Sequence, residues 1–208
     1  MATKKRLAIV DAFVIPVLVA GCTTSRRSVA ASGSLRIQSI RWPDVSVPGA
    51  VCHAAHPIHL RNDRAVIGSP PQLAARSSRL VVQESGVVYG DLNGGGEDAA
   101  GVLVSCSTTA GTADGQLADS LVIFTADGGS LRVVGTLAPR QPANPGLPHG
   151  PYFDDGSGAL RIDPGSMTVH EVWYGPNDAT CCPTMRATTV WAFAHGSLTA
   201  VSTTPTGQ

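Results

Sequence analysis

The chain has 208 residues, 43% of them hydrophobic but only 5% aromatic, so one domain with a core of Val, Leu, Ile and Ala is expected. Past residue 11 the charge balance is 12 basic against 14 acidic side chains, which is not a field suited to holding nucleic acid. Lysine does not occur beyond Lys5, and that excludes Schiff-base chemistry, a P-loop and Ser-Lys catalysis from the rest of the chain.

The N-terminus reads as an export signal. Lys4, Lys5 and Arg6 form a basic flank, an apolar stretch runs from Leu7 to Val19, and small residues precede Cys22. The stretch is too short for a bilayer core of about 30 Å, and Asp11 interrupts it. The run Leu18-Val19-Ala20-Gly21-Cys22 has the form of a lipoprotein signal. Residues 1–21 would be removed, and Cys22 acylated on its sulfur and its new amino group, with palmitate among the chains. More than one chain is needed for stable anchoring. The expected location is the outer face of the cell membrane, held by lipid rather than by a span. Residues 23–34, small and polar, read as a flexible tether following the lipidated Cys22.

From residue 35 to 208 the pattern is that of short strands, β-branched runs bounded by Gly, Asp, Asn and Pro. Candidate strands are Leu35–Ile40, Arg64–Ile67, Leu80–Gln83, Val87–Gly90, Gly101–Ser107 and Ser120–Thr125, then Leu131–Gly135, Ala159–Ile162, Met167–Tyr174, Arg186–Ala194 and Ser197–Ser202. Asp127-Gly128-Gly129, Asp163-Pro164-Gly165 and His195-Gly196 supply the turns, because glycine accepts the positive φ that tight hairpins require. Only Gln72–Arg76 and Gln116–Ala118 offer a helical turn or two. The expected fold is mainly β, a sandwich-like antiparallel sheet with at most one or two short helices, and the alternative is α+β.

Cys52-His53-x-x-His56-x-x-His59 puts a thiol and three imidazoles within eight residues. Two chemistries use such a cluster. Zinc takes Cys and His ligands, though this spacing matches no standard finger, and His53, His56 and His59 are the candidate ligands. Alternatively Cys52, Cys106, Cys181 and Cys182 form disulfides, as an even number of cysteines in an exported chain implies. Adjacent cysteines rarely bridge each other, so Cys52 and Cys106 would each pair with one member of Cys181-Cys182. Each bridge would contribute about 2–4 kcal/mol.

The loop Asp91-Leu92-Asn93-Gly94-Gly95-Gly96-Glu97-Asp98 has Asp, Asn and Gly at positions 1, 3 and 6 of a calcium loop. It lacks a carboxylate at position 5 and ligands at 9 and 12. Asp91 and Asn93 are weak calcium candidates, and the competing reading is a tight turn in which Asp91 or Asn93 caps backbone amides. The same glycines do not make a dinucleotide site, because a strand and not a helix follows them. Prolines at 139, 142, 145, 148 and 151 recur every third residue, the period of a polyproline II helix. They form either a stiff loop across the sheet or a docking strip. Asp154-Asp155 read as solvated turn acids. No Gly-x-Ser-x-Gly or His-Glu-x-x-His motif is present.

The blocks Tyr89-Gly90-Asp91-Leu92, Val104-Ser105-Cys106, Ser120–Phe124 and Trp173-Tyr174-Gly175-Pro176-x-Asp178-Ala179-Thr180-Cys181-Cys182-Pro183-Thr184 resemble the LppP/LprE type of mycobacterial and related actinobacterial lipoproteins. The resemblance covers roughly residues 50–203, and its most specific part is the Trp-Tyr-Gly-Pro…Cys-Cys-Pro block. The Gly-rich loop departs from the fuller Asp-x-Asp-Gly-Asp-Gly form of such proteins. The resemblance implies a cell-envelope protein and leaves its activity open. The expectation is a non-enzymatic, cofactor-free envelope domain that binds a protein partner or a lipid ligand. The alternative is a metal-assisted envelope hydrolase using His53, His56 and His59.

Overall fold

The computed structural model describes residues 35–68, 79–96, 98–108, 116–127, 129–143, 151–154, 158–179 and 182–206. The expectations placed on the export signal, on Cys22 and the tether, on Gln72–Arg76, on Cys181 and on most of the proline strip lie outside them. Gly33–Gln208 form one compact unit.

The fold is mainly β and its sheets are antiparallel. Helical structure among the described residues is limited to three 3-10 turns, Ile37–Ser39, Trp42–Asp44 and Gly49–Cys52. Two short strands, β1 (Ser46–Val47) and β2 (Ile58–His59), pair with each other. A five-stranded sheet follows as a meander in chain order: β3 (Arg64–Gly68), β4 (Arg79–Gly90), β5 (Ala99–Thr108), β6 (Gln116–Asp127) and β7 (Ser130–Leu137). A second five-stranded sheet is built around β10 (Ser166–Trp173), with β11 (Met185–Ala194) and β12 (Ser197–Thr206) on one side. On its other side, β9 (Leu160–Asp163) pairs along Ser166–Val169 and β8 (Tyr152–Phe153) along Glu171–Val172.

Alternation along the first sheet decides how the layers stack, since successive side chains in a strand point to opposite faces. Ala100, Val102, Val104 and Cys106 of β5 face one way and join a core with the N-terminal turns. There Trp42 packs on Phe124 at 5.2 Å between ring centroids and donates its indole N–H to the Tyr89 hydroxyl at 2.8 Å. Leu121 and Ile123 of β6 face the other way. They join a second core with Leu160, Ile162, Met167 and Val169 of the second sheet. The first sheet is therefore covered on both faces, and its strands carry apolar residues at consecutive positions, as in Leu121-Val122-Ile123-Phe124, all 3% exposed or less.

Four expectations need correction. Leu35–Ile40 forms no strand, because Ile37–Ser39 is a 3-10 turn. Leu80–Gln83 and Val87–Gly90 belong to one strand, β4, whose register against β5 shifts between Glu84 and Gly86. This bulge absorbs the extra residue that looked like a break. Gln116–Ala118 opens β6 and forms no helix. Most consequentially, Cys52 bonds Cys106, so the two bridges do not converge on Cys181-Cys182. Cys52 ends a 3-10 turn that lies on the face to which Cys106 points, with a Cα–Cα distance of 5.7 Å. That proximity comes from the layer packing. Cys182 is also disulfide-bonded, to a partner outside the described residues.

Candidate functional site

The two sheets do not close on each other along their whole length. Glycine and alanine make the close approach possible at one end. A Cβ at Gly90 would stand 2.5 Å from both the Cβ and the backbone oxygen of Ile162, and one at Gly101 would stand 2.4 Å from Leu160 Cδ2. Strand β9 therefore lies down on a strip of the first sheet that has no side chains to hold it off. Alongside Ser85–Val88 of β4, between the bulge and Gly90, the two sheets leave a half-open crevice of about 270 Å³.

The floor of the crevice is Val88, Gly101, Leu103 and Leu121 from the first sheet. Its roof is Phe153, Leu160 and Val169 from the second, and Ser85, Gly86 and Asp154 lie along it as well. The lining is predominantly apolar, and no described residue of it is a Lys, Arg or His. Its volume is close to the lower end of the range of about 300–1,000 Å³ typical of small-molecule sites. Ser85 and Asp154 are its only polar side chains among the described residues.

A fully buried carboxylate sits behind the roof. Glu171 is 0% exposed and pairs in register with Phe153. Its Oε2 accepts from the Arg140 backbone N–H at 2.6 Å and from Trp173 Nε1 at 2.7 Å, and its Oε1 accepts from the Thr189 hydroxyl at 2.6 Å. All three donors are neutral. Gln141 reinforces the attachment, because its amide nitrogen donates to the Tyr174 carbonyl at 2.6 Å and its oxygen accepts from the Tyr174 N–H at 2.9 Å. The chain leaving β7 at Leu137 is thus pinned to the second sheet by two side chains, one from each partner.

The Trp-Tyr-Gly-Pro…Cys-Cys-Pro block is the connection from β10 to β11, and Asp178 is its clasp. The carboxylate of Asp178 accepts from the Gly175 N–H at 2.6 Å, the Thr184 N–H at 2.7 Å and the Thr184 hydroxyl at 2.9 Å. These donors, the Gly175 amide foremost and then the Thr184 amide, hold its carboxyl below the ordinary carboxylate range. Glu84, beside the bulge, is shifted upward, first by burial and then by the charge of Asp63.

The residues singled out for metals are placed differently. His53, His56 and His59 are all exposed. His53 takes a left-handed conformation after its 3-10 turn, and His59 on β2 meets Ser46 across the strand pair, 3.0 Å from Nδ1 to Oγ. Among the described residues no three His, Cys, Asp or Glu side chains form a group that could hold a metal ion. In the Gly-rich loop, Asp91 Oδ1 accepts from the amides of Gly94 and Gly95 and Oδ2 from that of Gly96, while Asn93 donates its side-chain N–H to Asp98. The loop is a tight turn whose first carboxylate caps its own backbone.

Motif-based reasoning passed over the crevice, because its residues are mostly apolar and scattered over six strands. Two signals for it were present in Ser85-Gly86 and Gly101, glycines inside strand patterns that mark a bulge and a close backbone approach. No helix among the described residues is long and apolar enough to cross a membrane. Comparisons with family models, with curated proteins and with solved structures find no match to this chain.

Proposed function

We propose that this protein is a lipoprotein of the cell envelope, anchored through acylated Cys22, whose β domain binds a ligand without transforming it. The anchoring half of this reading rests on Leu18-Val19-Ala20-Gly21-Cys22 and the basic, apolar segment before it. The resemblance of the Trp173–Thr184 block to LppP/LprE-type lipoproteins supports the same location. The binding half rests on one observation, a crevice between two sheets whose described lining is apolar apart from Ser85 and Asp154. The geometry gives no comparable support to a metal-assisted hydrolase at His53, His56 and His59.

Metabolic labelling with an alkyne palmitate analogue tests the anchor. The wild-type chain is expected to take up label and to enter the detergent phase on Triton X-114 partition, and Cys22→Ser to lose the label. An unlabelled wild type in the aqueous phase would overturn the anchoring. For the crevice, native mass spectrometry of Gly33–Gln208 should retain small-molecule adducts that are lost when Gly86 is changed to Leu. Adducts unaffected by that change would place binding elsewhere.

A further inference from the structure

We infer that the crevice takes an uncharged amphiphile: one aliphatic chain in the apolar slot and a hydroxyl-bearing head against the polar row beside it. This rests on the crevice being the ligand site. The register of the first sheet supports it. Gly86, Leu103, Leu121 and Leu137 are cross-strand neighbours in one row, and Leu103 and Leu121 are crevice floor. The next row on the same face is Gln83, Ser105 and Asp119, aligned directly across β4, β5 and β6. Strand alternation puts all three on the crevice side, since Val82, Val104 and Cys106 face the opposite core. The sheet face that forms the floor therefore changes, just outside the lining of the slot, from aliphatic to hydrogen-bonding over one row, a step of about 7 Å for two residues along a strand.

Such a floor suits a ligand that changes character at the same place. The apolar part removes a chain from water, and amides and hydroxyls of the next row pair with a polar head that would otherwise be desolvated without partners. The sign of the head's charge follows from the lining. No described lining residue is cationic, Lys is absent beyond position 5, and the polar row carries a carboxylate and no cation. A carboxylate or phosphate head would find no counter-charge there, whereas hydroxyls can both donate to and accept from Gln83 and Ser105.

The test uses Gly33–Gln208, which form one compact unit with their own cores. The probes are monodecanoylglycerol and decanoate, titrated calorimetrically at pH 7 below their aggregation limits. Three variants accompany the wild type. Gly86→Leu fills the slot from a position where an added Cβ meets nothing within 4 Å. Gln83→Lys, at an exposed site, puts a cation in the polar row. Gly68→Leu, on β3, also has open space around its Cβ and does not line the slot. Circular dichroism melts confirm that each is folded.

The glyceride is expected to bind wild type and Gly68→Leu alike, and decanoate more weakly than the glyceride. Gly86→Leu should abolish both, and Gln83→Lys should strengthen decanoate about fivefold, the effect of one unit charge near 4 Å in water. Decanoate binding as tightly as the glyceride, with Gly86→Leu still abolishing both, would overturn the uncharged head and leave the crevice standing. Neither probe binding, or Gly86→Leu leaving binding unchanged, would overturn the crevice as the site and this inference with it.

Discussion

Replacing Glu171 by Ala should destabilise the domain far more than replacing it by Gln. In the alanine variant, Trp173 Nε1 and the Arg140 N–H lose their acceptor, while the Thr189 hydroxyl still has Thr203 at 3.2 Å. The tryptophan donor is buried and the Arg140 donor partly so. An orphaned buried donor costs about 1–3 kcal/mol, which puts the alanine variant at about 3 kcal/mol. For a domain of this size that is roughly 6–12 °C in Tm. Gln keeps one oxygen for the two N–H donors and turns its amide N–H toward Thr189, whose hydroxyl can rotate to donate to Thr203. Only the extra strength of bonds to a charged acceptor is lost, about 1 kcal/mol. Urea titrations followed by far-ultraviolet circular dichroism at pH 7 measure both variants. The Thr189→Val change, made in wild type and in Glu171→Ala, gives the coupling between the two residues. If the Ala and Gln variants agree within about 0.5 kcal/mol, or Thr189→Val costs the same in both backgrounds, the carboxylate is not the organising acceptor described here.

Four other outcomes are expected. Peptide mapping under non-reducing conditions should recover Cys52 linked to Cys106, and loss of this bridge, which spans 54 residues, should cost about 4 kcal/mol by loop entropy; mapping that links Cys52 to the 181–182 pair would refute the assignment. Gly90→Ala forces a Cβ against the Ile162 backbone and should cost about 1–3 kcal/mol in urea titrations, whereas Gly68→Ala, with open space around it, should cost much less. Asp178 has a lowered folded pKa, so its contribution is present above the unfolded value of about 3.9 and is lost as pH falls below it; Asp178→Ala should show a shallower acid-side decline in Tm than wild type. Glu84 has a raised pKa, so its ionisation costs stability as pH rises through the carboxylate range; Glu84→Gln should melt higher than wild type at pH 7 and no higher at pH 3.

The strands were legible because their cause is local. Alternation and turn chemistry located β5 to β7 and β9 to β12 within a few residues, and His195-Gly196 takes the two positive φ values, 53° and 76°, that its place between β11 and β12 requires. The bulge at Ser85-Gly86 hid the continuity of β4, because an inserted residue looks like a gap when the partner strand is unseen. The disulfide was misassigned for a related reason. Chain separation says nothing about which face of a buried sheet a 3-10 turn will cover, and that contact decides the partner of Cys52. Glu171 could be read as a strand residue, yet its hydrogen bonding depends on Arg140 and Thr189 arriving from two other places, beside Trp173 of its own strand. The crevice was least legible of all, since it is lined from two sheets whose meeting no residue encodes alone.

The three layers are contiguous stretches of chain: the N-terminal turns and their short strands, then β3 to β7, then β8 to β12. The bridge between Cys52 and Cys106 staples the first stretch to the second. Within the described residues, the third is attached to the second by packing, by the Glu171 and Gln141 contacts and by the Gly165 N–H donating to the Leu92 carbonyl, without a disulfide. Such an arrangement divides the domain into units with unequal opening free energies. Amides of β10 and β11 should then exchange with deuterium through a partial opening that leaves those of β5 and β6 protected. The crevice lies along the seam that this opening parts, so a guest could enter and leave by the peeling of one sheet while the stapled remainder stays folded.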